Sequence, residues 1–319
     1  MRKILCVLSA LCWLSVPALS QSYPDRPITM IVPYAAGGPT DTVARIVSEK
    51  MGRELGQRVI VENVAGAGGT LGSARAARSE PNGYTLLLNH IGMSTAPTLY
   101  PGSTDPLTAF EFIGLVADVP MTIVARRSFP SNTLQELVEY AVKQGDKVSY
   151  AHAGAGTASH ICGMLFAAET GAQPLTIPYK GTGPAMIDLL GGQVDFMCDQ
   201  TTNTTNQIQA GEIRAYAVTA AHRIPALPNV PSVNEAGLGK MELSIWHGIY
   251  TPKGTPQEVR RRLTSALQAA LADTAVLERF RQLSALAVSR EEATPEGLKS
   301  KLTAETARWK KVLAVETQK

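Results

Sequence analysis

The sequence has few of the residues that most often carry metal, redox or nucleic-acid chemistry. It contains 4 cysteines and 5 histidines among 319 residues, and its aromatic content is 6%. Cys6 and Cys12 lie in an apolar N-terminal stretch, so that only Cys162 and Cys198 remain, and two cysteines make no metal site. The formal net charge is +3 and no basic run is present, which argues against a nucleic-acid partner. We expect no metal, no cofactor and no nucleic acid.

The N-terminus is typical of a signal peptide. Arg2 and Lys3 precede an apolar run over residues 4–16, and the segment ALS that ends at Ser20 has the small-x-small form of a cleavage site. The run is short for a bilayer span, and no later stretch is long and apolar enough to be one. We therefore expect residues 1–20 to be cleaved near Ser20 and the protein to be soluble and periplasmic. In that oxidising compartment Cys162 and Cys198 can pair, but the sequence leaves open whether they do.

The chain length and the order of the predicted elements indicate two α/β lobes. Strand patterns alternate with helical ones, and a continuous apolar run at residues 121–125 suggests that the chain crosses between lobes near Ile123. The return is predicted at the strand pattern of residues 245–251, and the C-terminal helices then have only the first lobe to pack on. We predict a first lobe of residues 21–123 and 244–319 and a second lobe of residues 124–243.

A glycine loop near the start of the first lobe is the strongest candidate for a binding element. A short strand at residues 29–32 leads into the loop PYAAGG, after which Pro39 fits the first helical position. Asp41 can reach back to free N–H groups of the loop, and a helix start with uncovered amides attracts an anion. The alternative is an ordinary strand-to-helix turn in which the glycines serve only tight packing.

Similar glycine-rich loops recur along the chain. Residues 63–72 are glycine-rich, but the dinucleotide pattern G-x-G-x-x-G fails there because it requires a glycine where Leu71 stands. A third strand at residues 84–88 continues into a loop at residues 89–95. In the second lobe, AHAGAGTASH at residues 151–160 again places a glycine loop before a helix start. Because ligands of open α/β sheets sit at the carboxyl ends of strands, we expect these loops to face one crevice.

Six motifs together resemble one family. YAAGGPTDTVAR, ENVAGAGGTLGS, HAGAGTASH, PYKGTGPA, PALPNVPSVNEAGL and YTPKGTPQEV occur in the order and spacing of the tripartite tricarboxylate transporter receptors, also called Bug receptors. The resemblance covers essentially all of the chain after residue 20. It implies a type II periplasmic-binding-protein fold with two lobes, each a mixed sheet flanked by helices, joined by two hinge crossings.

The same resemblance implies a monomeric receptor without catalytic activity that presents a carboxylate to a membrane permease. It also implies that backbone amides, hydroxyls and water hold the ligand, with little use of arginine. Carried onto this chain, the implied ligand-binding residues are Tyr34, Ala35, Gly37, Gly38, Asp41, Ala67, Gly68, Gly69, Gly156, Thr157, Ala158, His160, Tyr179, Gly181 and Asp199.

One segment departs from the family pattern. CDQTTNTT at residues 198–205 is more polar than the proline-containing segment of many relatives, which favours a ligand with an extra polar group. We therefore expect an amino dicarboxylate such as aspartate or glutamate, or else a dicarboxylate or tricarboxylate. Asp199 is placed to receive an amino group, although a hydrogen bond within its own loop is the alternative.

Several alternatives remain open at this point. Asp41 either caps its helix or contacts the ligand, and His160 either contacts the ligand through a ring N–H or is satisfied within its own lobe. Tyr34 and Tyr179 are expected to wall the crevice. As a whole, the protein is either a transport receptor or a receptor that signals to a membrane sensor. An exported hydrolase is disfavoured, because G-x-S-x-G is absent and Ser159 and His160 lack an evident third group.

Overall fold

The computed structural model describes residues 23–316, so the predicted signal peptide lies outside the described residues. The strands β1 to β10 are Ile28–Val32, Val59–Asn63, Thr85–His90, Phe110–Arg126, Ser149–His152, Leu175–Pro178, Phe196–Gln200, Ile213–Val218, Ser244–Pro252 and Leu286–Ala287. The helices α1 to α11 are Pro39–Leu55, Thr70–Ala77, Gly92–Leu99, Pro106–Ala109, Leu134–Gln144, Ala158–Thr170, Thr182–Leu190, Thr201–Gln209, Gln257–Leu271, Thr274–Gln282 and Pro295–Glu316.

The strands form two mixed sheets that share β4. In the first sheet the order is β2-β1-β3-β9-β4, with β1 parallel to β2 and β3 and with β9 antiparallel to β3 and β4. In the second sheet β4 pairs antiparallel with β7 and β8, and β7 continues through β5 to β6 in parallel register. We call the two sheets with their helices the first and the second lobe. The predicted class, two mixed sheets flanked by helices, is confirmed.

The crossing between the lobes runs through the middle of β4. Its residues up to Pro120 pair with β9, and from Met121 onward they pair with β7 and β8. Thr219 ties this point to the return crossing, since its Oγ1 accepts a hydrogen bond from Met121 N (2.9 Å) and donates one to Leu243 O (2.6 Å). The lobe boundaries at residues 123/124 and 243/244 remain predictions from the sequence.

The C-terminal helices pack on the first sheet. Leu263 and Leu267 of α9 lie in one buried cluster with Val43 and Val47 of α1. Trp309 of α11 is buried in a second cluster, together with residues of β4 and β9. No helix within residues 23–316 has the length and apolar content needed to cross a bilayer.

The disulfide that the sequence left open is present. Cys162 of α6 is bonded to Cys198 of β7, with the two Cα atoms 6.0 Å apart. Both residues are buried in the second lobe. The bond therefore joins the helix that begins at the loop of residues 154–157 to the strand that carries Asp199.

Candidate functional site

Both lobes contribute to one small cavity, which we call the central cavity. Its volume is about 20 Å³. It is lined by Tyr34, Gly38, Pro39, Thr40, His90, Ala153, Thr157, Ala158, Ser159, Thr182, Asp199 and Gln200. Within the described part of the chain, this lining includes no arginine and no lysine. The ionisable side chains in this lining are those of Tyr34, His90 and Asp199, so that backbone and hydroxyl groups provide most of its polar atoms.

Four helices begin at the central cavity, and none has a side-chain cap. The N-cap residues of α1, α6, α7 and α8 are Gly38, Thr157, Gly181 and Gln200, and no side chain of these residues accepts a hydrogen bond from its helix. By contrast, α5 and α10 are capped by the side chains of Thr133 and Asp273. The first N–H groups of a helix lack internal partners and carry a partial positive charge. The four helix starts therefore make the cavity a donor-rich, electropositive site.

Hydrogen bonds to Asp41 fix the loop before α1. Its Oδ2 accepts hydrogen bonds from Gly37 N (3.0 Å) and Arg45 Nε (2.9 Å), and its Oδ1 accepts one from Asn63 Nδ2 (3.1 Å). Burial raises the pKa of Asp41, but these hydrogen bonds outweigh burial and hold the pKa below its usual value. Asp41 thus reaches back to the loop as the sequence predicts, and its carboxylate is used within the first lobe.

The wall of the cavity on the first-lobe side is aromatic. The rings of Tyr34 and His90 are stacked with centroids 4.7 Å apart, and the hydroxyl of Tyr34 donates to Asn89 Oδ1 (3.0 Å). Burial, followed by the neighbouring His247, lowers the pKa of His90 well below 6.5. At neutral pH the wall is therefore uncharged.

The second lobe provides two acceptors at the end of β7. Asp199 and Gln200 are each 1% exposed. Burial raises the pKa of Asp199 to about 6, although hydrogen bonds from Asn203, the backbone of Gln200 and Thr182 lower it. The amide oxygen of Gln200 is buried and has no partner among the described residues. These two acceptors lie at the start of α8, of which Gln200 is the N-cap.

Contacts of loops and side chains between the lobes close the cavity. Ala35 N donates to Lys180 O (3.0 Å), and Gly183 lies against Ala36 and Gly38. Thr95 Oγ1 donates to Gly156 O (2.6 Å), and the hydroxyl of Tyr100 donates to Ala155 O (3.1 Å). The structure is thus a closed form in which glycines permit close approach of the facing loops.

The predicted binding residues fall into three groups. Those that line the cavity are Tyr34, Gly38, Thr157, Ala158 and Asp199. Those at contacts between the lobes are Ala35, Gly68, Gly156 and Gly181. The remaining six lie outside the lining, namely Gly37, Asp41, Ala67, Gly69, His160 and Tyr179. Within the first lobe, Gly37 N donates to Asp41 and Gly69 faces Tyr34. Within the second lobe, His160 accepts from Gly156 N, and the hydroxyl of Tyr179 donates to Asp188.

The sequence prediction missed several lining residues, namely Pro39, Thr40, His90, Ala153, Ser159, Thr182 and Gln200. Thr40, Ser159 and Thr182 share a recognisable signal, because each is a hydroxyl residue in the first turn of a helix that follows a glycine-containing loop. His90 ends β3, one of the strands whose exits the sequence directs toward the crevice.

A larger groove of about 770 Å³ lies elsewhere, on the outer surface of the first lobe between α1 and the edge strand β2. The arginine Arg53 in it is paired with Glu49, and no residue of the second lobe lines it. We place the candidate site at the smaller central cavity, because both lobes and four helix starts meet there. Across residues 23–316 no group of three or more His, Cys, Asp or Glu side chains could hold a metal ion.

Comparisons with known proteins agree on one family. The model of the tripartite tricarboxylate transporter family receptor matches residues 43–314. A protein of the TAR-I ttuE-ttuC' intergenic region of Agrobacterium vitis is 48% identical, covering 94% of this chain and 87% of the relative. The solved structure of the periplasmic binding protein BugD is 53% identical with a TM-score of 0.90, covering 92% of this chain and 98% of that chain. MatC from Rhodopseudomonas palustris, solved with bound malate, is 37% identical with a TM-score of 0.88, covering 91% and 99%.

Proposed function

Because this chain belongs to the tripartite tricarboxylate transporter receptor family, we propose that it is a periplasmic receptor that binds a small dicarboxylate in the central cavity and delivers it to a membrane permease. The observation that carries the proposal is the convergence of four uncapped helix starts on one cavity lined by both lobes. The periplasmic location depends on the predicted signal peptide.

Backbone amides are the proposed carboxylate ligands. The starts of α1 and α6 come from opposite lobes and have no side-chain cap, so that each presents backbone N–H groups and the positive end of a helix dipole. Hydroxyls of Thr40, Ser159 and Thr182 lie in the first turns of α1, α6 and α7. Fixed dipoles of this kind replace the water around a carboxylate without adding a full positive charge. An anion can therefore be bound here without a guanidinium.

The acceptor end of the cavity narrows the ligand class. Asp199 and the partnerless oxygen of Gln200 repel a second carboxylate and favour a hydrogen-bond donor. We propose a dicarboxylate that carries an amino or hydroxyl group beside one carboxylate, with aspartate as the preferred example, because Asp199 is mostly ionised above pH about 6 and then attracts an ammonium. Malate, the ligand named for the relative from R. palustris, is a hydroxy dicarboxylate of this shape.

Binding requires the lobes to move. The central cavity of about 20 Å³ has room for about one water molecule, and a dicarboxylate is larger. We therefore expect the lobes to part at the glycine contacts, admit the ligand and close again around it, as hinged domains do. Release to the permease then requires the partner to favour the open form.

A thermal-shift screen tests this proposal. The panel is L-aspartate, L-glutamate, L-malate, succinate and citrate, with succinamide as the control that keeps the shape of succinate without its charges. A ligand at about a hundredfold excess over its Kd raises the unfolding free energy by about 2.7 kcal/mol. We expect a clear shift with at least one amino or hydroxy dicarboxylate. If no carboxylate shifts the transition, or succinamide shifts it equally, the proposal is wrong.

A further inference from the structure

Two histidines in the second lobe hold the loop that the first lobe contacts. His152 Nδ1 accepts a hydrogen bond from Gly154 N (3.1 Å), and His160 Nδ1 accepts one from Gly156 N (3.2 Å). The two ring centroids are 5.0 Å apart. Since each Nδ1 acts as an acceptor, each ring is neutral and carries its proton on Nε2. The same arrangement occurs in the first lobe, where His90 Nδ1 accepts from Gly92 N (3.1 Å).

The two glycines adopt backbone conformations that a side chain would disfavour. Their φ values are +107° for Gly154 and +73° for Gly156, in or beyond the left-handed region that favours glycine. A flexible glycine pair needs outside contacts to stay in one conformation. The imidazoles provide those contacts by binding the amide N–H of each glycine, so that the loop is ordered from within its own lobe.

The first lobe binds this same loop. Thr95 Oγ1 donates to Gly156 O (2.6 Å), and the hydroxyl of Tyr100 donates to Ala155 O (3.1 Å). A Cβ at Gly154 would lie 3.2 Å from Gly68 Cα, so the two backbones are in close contact. Each glycine is therefore held by a histidine on one side and apposed to the first lobe on the other.

From this geometry we propose that His152 and His160 are positioning residues for lobe closure: their unprotonated Nδ1 atoms hold residues 154–156 in the form that Thr95, Tyr100 and Gly68 bind. The inference rests on the proposed function and deepens it, because it assigns closure to two residues outside the cavity lining. The hydrogen bonds of both histidines lie within the second lobe, so a change at either histidine acts through the loop and not on the ligand.

Protonation of the pair opposes closure. A proton on Nδ1 turns the acceptor into a donor that faces the N–H of a glycine, so the hydrogen bond is lost. Burial, followed by the neighbouring His152, lowers the pKa of His160 to about 4, and burial also lowers the pKa of His152. Closed protein therefore binds protons less readily than a form in which the loop is released, and acid favours release.

Other titratable groups lie on the surrounding elements. They are Tyr150 on β5, Asp199 on β7, Tyr179 with its partner Asp188 in the segment from β6 to α7, the exposed Lys180 beside Tyr179, and Tyr100 in the first lobe. Burial raises the pKa of each of these tyrosines, so none of them changes charge between neutral pH and pH about 5. Asp199 does, since its pKa is about 6, so any test must hold Asp199 constant.

The test compares two double variants that retain Asp199. His152→Asn/His160→Asn, the asparagine variant, places Oδ1 where Nδ1 lies and does not titrate, whereas His152→Leu/His160→Leu, the leucine variant, removes the acceptor. Binding of L-aspartate is measured by calorimetry at about pH 7.5 and about pH 5. We expect affinity at about pH 7.5 to fall by about tenfold or more for the leucine variant and to stay within about fivefold for the asparagine variant. The wild type should weaken more on acidification than the asparagine variant.

A second measurement needs no ligand. Amide hydrogen exchange of Gly154 and Gly156 should be protected in the wild type and the asparagine variant and should accelerate about tenfold or more in the leucine variant. Should the leucine variant fail to fold, the asparagine variant alone decides by its pH profile and its exchange. The inference is overturned if the leucine variant binds L-aspartate as tightly as the wild type does, or if the asparagine variant binds it as weakly as the leucine variant does. If the wild type does not bind L-aspartate, aspartate is refuted as the ligand instead, and the exchange rates still decide the role of the histidines.

Discussion

Gly183, at the start of α7, lies directly against Ala36 in the facing lobe. A Cβ at Gly183 would be 2.7 Å from Ala36 O and 3.0 Å from Gly38 N. Both atoms belong to the backbone of the loop before α1, which cannot yield as the end of a flexible side chain does. The closed form therefore requires glycine at this position for space, although Gly183 has no positive φ.

Replacing this glycine should impair closure of the lobes without lowering the unfolding free energy. In Gly183→Ala, alanine is the better helix former by up to about 1 kcal/mol, so the unfolding free energy should not fall appreciably. Affinity for L-aspartate should drop by about tenfold or more because the lobes cannot meet. The matched control is Gly191→Ala at the other end of α7, where the nearest atom to a Cβ, Ile187 O, is 3.4 Å away. Wild-type affinity in Gly183→Ala would show that this contact is not needed for binding.

The substitution Asp199→Asn should raise the unfolding free energy at neutral pH and weaken the binding of L-aspartate. The pKa of Asp199 is raised from 3.8 to about 6, so the folded protein is penalised for its charge above pH about 6, by at most about 3 kcal/mol. The variant should therefore unfold at higher denaturant concentration at neutral pH and bind L-aspartate less well. At about pH 4 the stability difference should largely vanish, because the native carboxyl is then protonated as well. A variant that is less stable than wild type at neutral pH contradicts this assignment.

Stability should also fall on acidification through the buried histidines. Burial lowers the pKa of His160 and of His247 from 6.5 to about 4. The unfolded chain then binds more protons than the folded one as the pH falls from 6.5 toward 4, which costs up to about 3 kcal/mol for each histidine. Asp199 acts in the opposite direction, so urea unfolding is best followed in the Asp199→Asn background. An unfolding free energy that is constant over this range would contradict the neutral state of the two rings.

Loss of the disulfide should destabilise the second lobe. The bond between Cys162 and Cys198 closes a segment with a sequence separation of 36, for which chain entropy gives about 2–4 kcal/mol. The double variant Cys162→Ala/Cys198→Ala should lose that amount in denaturant unfolding. A reducing agent should lower the Tm of the wild type and leave that of the variant unchanged. Equal sensitivity of both proteins to reduction would rule out this role for the bond.

The sequence was informative where a local pattern determines local structure. The glycine loops before α1 and α6 were predicted because small residues there precede an apolar helical period, and Pro39 marks the helix start. The reach of Asp41 back to Gly37 follows from spacing alone, and the structure confirms it. These features depend on neighbours in the chain, which a sequence displays directly.

The sequence was less informative where packing between distant segments decides. The strand β7 continues past Asp199 to Gln200, which is the N-cap of α8. The polar run after it has no apolar period, yet Thr201–Gln209 is a helix whose first five residues are buried. Nor could spacing show that His160 binds Gly156 within its own lobe, because that depends on how the side chain is oriented. Such features arise from tertiary contacts that override local preference.

Calorimetric titration of the wild-type protein with L-aspartate, L-malate and succinate at about pH 7.5 tests the central claim most directly. The claim is that helix starts bind a carboxylate while Asp199 and Gln200 receive an adjacent amino or hydroxyl group. We predict that at least one of L-aspartate and L-malate binds about tenfold or more tightly than succinate. Binding of succinate with equal or higher affinity, or binding of none of the three, would contradict it.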